Sequence, residues 1–92
     1  MPQIRIPPVL RSEAAGQSRV DVDATTVRGA LGALVAEYPA LQERVLAGGD
    51  LPTFLNVFVD GEDIRLLQGL ETELSSSATV LLLPAVAGGA SS

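Results

Sequence analysis

The sequence predicts an α+β domain: a mixed sheet of four to five strands with one main helix packed on one face. Three observations predict it. Apolar and polar residues alternate near the start of the chain. The spacing of apolar residues then changes to three- and four-residue steps between Thr26 and Tyr38. Later, Asp60-Gly61 stands between two strand-like runs, a strong hairpin signal.

Gln3-Ile4-Arg5-Ile6 alternates as a half-buried strand does. Pro7-Pro8 has no N–H to give a ladder, so pairing should stop or bulge there. Arg11 to Gln17, containing Ala14-Ala15-Gly16, is expected to be a hairpin loop, with Ser18 to Val22 as the return strand. Thr26 can cap a helix in which Val27, Ala30, Leu31, Leu34 and Val35 form the apolar stripe. Pro39 disfavours helical geometry at Tyr38 and can itself open a second short helix. Leu41, Val45 and Leu46 would face inward from it. Ala47-Gly48-Gly49-Asp50 reads as a loop with no assigned function.

Phe54 to Val59 is the clearest strand, with Asp60-Gly61 as its turn and Glu62 to Arg65 as a short return. An irregular connection follows, ending in a serine cluster. Thr79 to Leu83 is nearly all apolar, as expected of a strand with neighbours on both sides. Placing it between the first and third strands, parallel to the first, keeps the right-handed crossover. That order is the β-grasp, or ubiquitin-like, arrangement.

Composition narrows the function. The chain of 92 residues makes one small domain with an aliphatic core, since it has no Trp, one Tyr and two Phe. It has no Cys, hence no thiolate nucleophile or disulfide, and no His, hence no imidazole base. All six positive charges are arginine, so no side-chain amine can form a Schiff base. Glu62 and Asp63 are adjacent on a strand and point to opposite faces, a poor acid/base couple. An autonomous enzyme is not expected, and no metal ligands are assigned. The net charge of −5 disfavours nucleic acid and anionic membranes, and fits a protein that meets a partner with a basic rim. No apolar run approaches the ~20 residues of a membrane span. Met1-Pro2-Gln3 opens no secretory signal, so a cytoplasmic location is expected.

The chain finishes Leu83-Pro84-Ala85-Val86-Ala87-Gly88-Gly89, then Ala90-Ser91-Ser92. Two glycines without Cβ atoms make a thin tip that a narrow channel can admit. Gly-Gly-Ala-Ser-Ser taken alone has the composition of an ordinary chain end. The rest of the chain favours a working tip, whose chemistry would fall on its carboxylate inside another protein's active site.

Several blocks resemble the MoaD/ThiS-type bacterial ubiquitin-like sulfur carriers, and most of all the CysO-type carriers of cysteine biosynthesis. They are Phe54-Leu55-Asn56-Val57-Phe58-Val59, Glu62-Asp63-Ile64-Arg65, Gly69-Leu70, the run from Val80 to Gly89 and, more loosely, Ile6-Pro7 with Val9-Leu10-Arg11. The resemblance implies a carrier domain over residues 1–89, with a flexible arm 84–89. It implies that Gly89 becomes the thiocarboxylate, and that Pro84, Ala85, Val86, Ala87 and Gly88 form the arm entering partner active sites. It implies no bound cofactor: a ubiquitin-activator-like adenylating enzyme uses ATP, a sulfur donor replaces AMP, and a sulfur-accepting synthase takes the sulfur. The tail 90–92 departs from this scheme, because a carboxylate held in an amide cannot be adenylated. A tail-removing peptidase cutting between Gly89 and Ala90 is therefore expected. Two smaller departures are Ala85 where MoaD proteins more often have a second proline, and Ser76-Ser77 where the family usually has Gly-Asp. The molybdopterin synthase small subunit and a ubiquitin-like protein modifier are the alternative functions.

Alternation also predicts a partner surface. If Leu55, Val57 and Val59 face the helix, Phe54, Asn56 and Phe58 face outward. Val80 and Leu82 would point in, leaving Leu81 and Leu83 out. Phe58, Leu81 and Leu83 then form an apolar docking patch at the root of the arm, unless the short helix or a loop covers them. Arg65 and Arg11 are candidate rim charges, although solvated surface charge explains them equally.

Overall fold

The computed structural model describes residues 1–46, 49–52 and 54–84. Five strands form one mixed sheet: β1 (Gln3–Arg5), β2 (Arg19–Asp21), β3 (Leu55–Val59), β4 (Glu62–Asp63) and β5 (Thr79–Pro84). Their spatial order is β2-β1-β5-β3-β4. The last strand lies in the middle, parallel to β1 and antiparallel to β3, as the sequence predicts.

One face of the sheet is covered by helix α1 (Val27–Glu37). Thr26 caps it, Oγ1 accepting from the Gly29 N–H at 3.1 Å. Val27, Ala30, Leu31 and Leu34 are buried, so the stripe read from the sequence is the packed face. The N-terminal end of α1 is also held by the connection before β5. The Val27 N–H donates to the Thr72 carbonyl at 3.0 Å, and the Leu74 N–H to Thr25 at 2.8 Å. At the other end Tyr38 closes the last turn on Leu34, and Pro39 starts a 3₁₀ turn (Pro39–Leu41) that runs into α2 (Gln42–Val45). Leu41 and Val45 are fully buried and Leu46 packs against the core from its edge.

Strand alternation sorts the sheet into two faces. Leu55, Val57 and Val59 on β3, and Val80 and Leu82 on β5, are buried against the helix, whereas Asn56, Phe58, Leu81 and Leu83 are not. The Asp60-Gly61 turn takes positive φ at both residues, +51° and +90°, the geometry of a tight two-residue hairpin. Asp60 also fastens that hairpin to the central strand: its Oδ1 accepts from the Thr79 N–H at 3.0 Å.

Two elements differ from the sequence reading. Residues expected as a hairpin loop from Arg11 begin earlier and are helical, a 3₁₀ segment Pro8–Ala14. Pro8 presets the first-turn φ, and Leu10 and Ala14, four apart, both reach the core. The reversal itself is confined to Ala15 and Gly16, both at positive φ. Arg44 on α2 pairs with Glu13 at 3.1 Å, tying this segment to the second helix. The return strand Glu62 to Arg65 is also shorter than expected. It turns after Asp63, whose carboxylate accepts from the Arg65 N–H at 2.8 Å and starts a 3₁₀ turn, Ile64–Leu66, that drops Ile64 into the core.

Candidate functional site

The site is built on β5. This strand is paired with β1 over Thr79–Leu81 and with β3 over Val80–Pro84, so Leu81 has a neighbour on each side and the chain leaving its end is held by β3. Its last residue, Pro84, opposes Leu55 and is half-buried. Ala85, Val86, Ala87, Gly88, Gly89 and Ala90, expected as arm, sulfur attachment point and processing site, lie outside the described residues.

The expected patch is brought together. Phe58 opposes Leu81 across the β3–β5 pair, and Leu83 stands two residues further along β5, opposite Asn56. Leu83 is 41% exposed, and Phe58 and Leu81 are half-buried. None of the three belongs to the core cluster or packs against it. The helices bury the opposite face, so the patch remains on the open side of the sheet. Phe54, just before β3, is also exposed.

Beside the patch lies an arrangement that alternation alone did not reveal. The Arg65 guanidinium grips Asp63 through Nε and Nη2, at 3.2 Å and 2.9 Å, and Nη2 also donates to Asn56 Oδ1. The side-chain hydrogen bonds from Arg65 to Asp63, reinforced by the Arg65 backbone N–H, hold the Asp63 carboxyl below its usual range; the same pairing raises Arg65. The planar cation is thereby fixed at the edge of the apolar surface next to Asn56 and Leu83. Its sequence signal was the Asp-x-Arg spacing just after the hairpin turn. Arg11 does not join the site: its Nε donates to the Ile6 carbonyl at 3.1 Å, within the Pro8–Ala14 corner.

Among the described residues no group of three His, Cys, Asp or Glu side chains is placed to hold a metal ion. Among the described residues, a hollow of about 320 Å³ beside Leu55 and Ile64 has Asp50 and Arg65 as its charged lining. Among the described residues no helix is long and apolar enough to cross a membrane.

A five-stranded mixed sheet with its last strand central, one principal helix across one face and an apolar patch on the other defines a ubiquitin-like β-grasp domain. The chain belongs to the ThiS family, whose model matches residues 4–89. It is 36% identical over 89 residues to the sulfur carrier protein CysO of Mycobacterium tuberculosis, covering 94% of this chain and 96% of that protein. It is 38% identical over 81 residues to small archaeal modifier protein 3 of Haloferax volcanii, covering 84% and 87%. In structure it is similar to a chain of the Amycolatopsis orientalis BexX/CysO complex. The TM-score there is 0.90 at 32% identity, covering 97% of this chain and 100% of that one.

Proposed function

We propose that this protein is a sulfur carrier whose reactive group is the α-carboxylate of Gly89, exposed when a peptidase removes Ala90-Ser91-Ser92. The carboxylate oxygen attacks the α-phosphorus of ATP within an adenylating partner, expelling pyrophosphate and forming an acyl-adenylate. A sulfur nucleophile then displaces AMP and leaves a glycyl thiocarboxylate, which a synthase uses for cysteine or a related sulfur metabolite. The protein serves as a co-substrate of its partners and supplies no catalytic side chain. The Phe58, Leu81 and Leu83 patch docks those partners while the arm from Pro84 to Gly88 carries the tip into their active sites.

The observation that carries this reading is the extent of the family match. It runs through Gly88-Gly89 and stops there, leaving Ala90-Ser91-Ser92 beyond it. The likeness to a named sulfur carrier along nearly the whole chain supports the same assignment. The test is mass spectrometry of chain ending at Gly89 after incubation with ATP, the host's adenylating enzyme and a sulfide source. Exchange of one oxygen for sulfur at the terminus is expected; no ATP-dependent mass change in that chain would overturn the reading. The precursor step has its own check, since an intact tail on every molecule isolated from the host would remove it.

The likeness to an archaeal modifier protein favours one second reading, conjugation of Gly89 to lysines of other proteins. Isopeptide-linked ladders in host lysate would identify it.

A further inference from the structure

The net charge of −5 conceals where the charge sits. Strand register places Arg5 opposite Arg19, Arg5 opposite Leu81, Leu81 opposite Phe58, and Phe58 opposite Asp63. A single row across the open face therefore reads Arg19, Arg5, Leu81, Phe58, Asp63, with Arg65 clasping the end of it. Asp21 and Asp63 are the acids that strand alternation turns to this side, and Arg65 already occupies Asp63. Counted over the strand residues of this side together with Arg65, three of the six arginines stand with two of the eleven acids, +1 against −6 for the rest of the chain.

The two arginines on β1 and β2 are exposed, and among the described residues neither has an ion-pair partner. By contrast Arg28 and Arg44, both away from this face, are paired with Glu71 and Glu13. Like charges directly opposite each other on neighbouring strands are destabilising. The fold bears that cost at the flank of its apolar patch, where an incoming carboxylate would relieve it. Arg65 presents a comparable opening on the other flank: its Nη1 makes no hydrogen bond among the described residues.

We propose that the open face docks a protein surface whose apolar centre is flanked by carboxylates, one group meeting Arg5 and Arg19 and another meeting Arg65. The partner rim is acidic, opposite in sign to what the chain's net charge suggests. This deepens the carrier reading and rests on it, since it specifies the partner that receives the tip. A polyanion such as nucleic acid fits less well, because the −6 on the rest of so small a domain opposes a long charged ligand, whereas a carboxylate pair is a local contact.

The experiment measures association of the full-length chain with the host's adenylating enzyme by stopped flow or surface resonance. Docking through the face does not need a free Gly89, so the intact chain is suitable. The double variant Arg5→Glu/Arg19→Glu should associate on the order of ten- to a hundredfold more slowly at ~50 mM salt, and the difference should fade towards ~500 mM. Arg5→Gln/Arg19→Gln should slow association less, and should melt at or above the wild-type temperature because it removes the like-charge pair. Faster association of the charge-reversed variant would show a basic partner rim and overturn the proposal, as would rates indifferent to charge at low salt. A dimer of the chain alone that these substitutions dissociate would assign the face to a second copy, also overturning it. The two readings fail separately. Sulfur loading of chain ending at Gly89 with charge-indifferent docking rejects the acidic rim alone, whereas charge-sensitive docking without any loading rejects the carrier chemistry alone.

Discussion

Leu82 and Leu83 are neighbours in sequence that should fail in opposite ways. Leu82 is fully buried among the inward side chains of the sheet and helix, while Leu83 points to the open side and is 41% exposed. Truncating a buried leucine to alanine costs ~3 kcal/mol, the lost transfer energy plus the cavity left behind. At about 4–8 °C per kcal/mol for a domain of this size, Leu82→Ala should lower Tm by roughly 15 °C. Leu83→Ala leaves no enclosed cavity and removes only the three-fifths of the side chain that folding buries, ~1.2 kcal/mol, so Tm should fall by roughly 5–10 °C, clearly less than for Leu82→Ala. A second loss should appear in docking. A fully buried leucine contributes ~2 kcal/mol, and the two-fifths of Leu83 still open to a partner carry ~0.8 kcal/mol. That corresponds to about a fourfold weaker docking constant. Thermal melts of both variants, with titration against the adenylating enzyme well below either Tm, provide the assay. Equal losses of Tm would refute the assignment of faces. Unchanged partner affinity in Leu83→Ala would refute the patch.

Other consequences follow from single contacts. Thr26→Ala removes the cap on Gly29 and should cost ~1 kcal/mol by chemical denaturation, with Thr26→Ser recovering most of it. The Asp63 carboxyl titrates below its ordinary range because Arg65 holds it, so this contact is complete above the ordinary carboxylate pKa and is lost as pH falls through the lowered one. Carbon-13 titration should show that midpoint returning upward in Arg65→Gln; identical midpoints would remove the contact. Deleting Ala85 should leave partner docking intact while impairing sulfur loading, read by titration and mass spectrometry on the same preparation.

What was legible in the sequence was whatever depends on period. The two-residue repeat of Leu55 to Val59 and Val80 to Leu83 sorted every one of those side chains to its observed face. The three- and four-residue stripe from Val27 did the same for α1, and Asp60-Gly61 located its turn. The Pro8–Ala14 corner was obscured because two prolines signal the end of a strand more loudly than a single Leu10–Ala14 pair signals a helical turn. Strand β4 was overextended because Glu62-Asp63-Ile64-Arg65 alternates in type. Its end is set by Asp63 bonding to the Arg65 backbone, a local competitor that alternation does not register. Arg65 meeting Asn56 is a tertiary event between residues nine apart, as is the opposition of Arg5 and Arg19 across fourteen. Net charge alone fits a partner with a basic rim, and which face carries Arg5 and Arg19 is set by strand register, which does not enter that sum.

The placement of β5 links docking to delivery. The strand that carries Leu81 and Leu83 is the strand from which residues 85–89 depart, and its end is paired with β3 through Pro84. A partner that grips the patch therefore grips the root of the arm, with no hinge between them before Pro84. Gly89 is the fifth residue after Pro84, and a fully extended chain covers at most about 3.6 Å per residue, so the tip can reach no further than ~18 Å from Pro84. Any enzyme acting on Gly89 while docked on this face would have to hold its reactive centre within that radius of Pro84. An apolar contact surface ringed by charge and a channel mouth are thus required together, at a fixed separation. If the open face docks partners as proposed, pairing of Pro84 with β3 would turn a search over the whole partner surface into a local one and raise the effective concentration of the tip at the channel without any new contact.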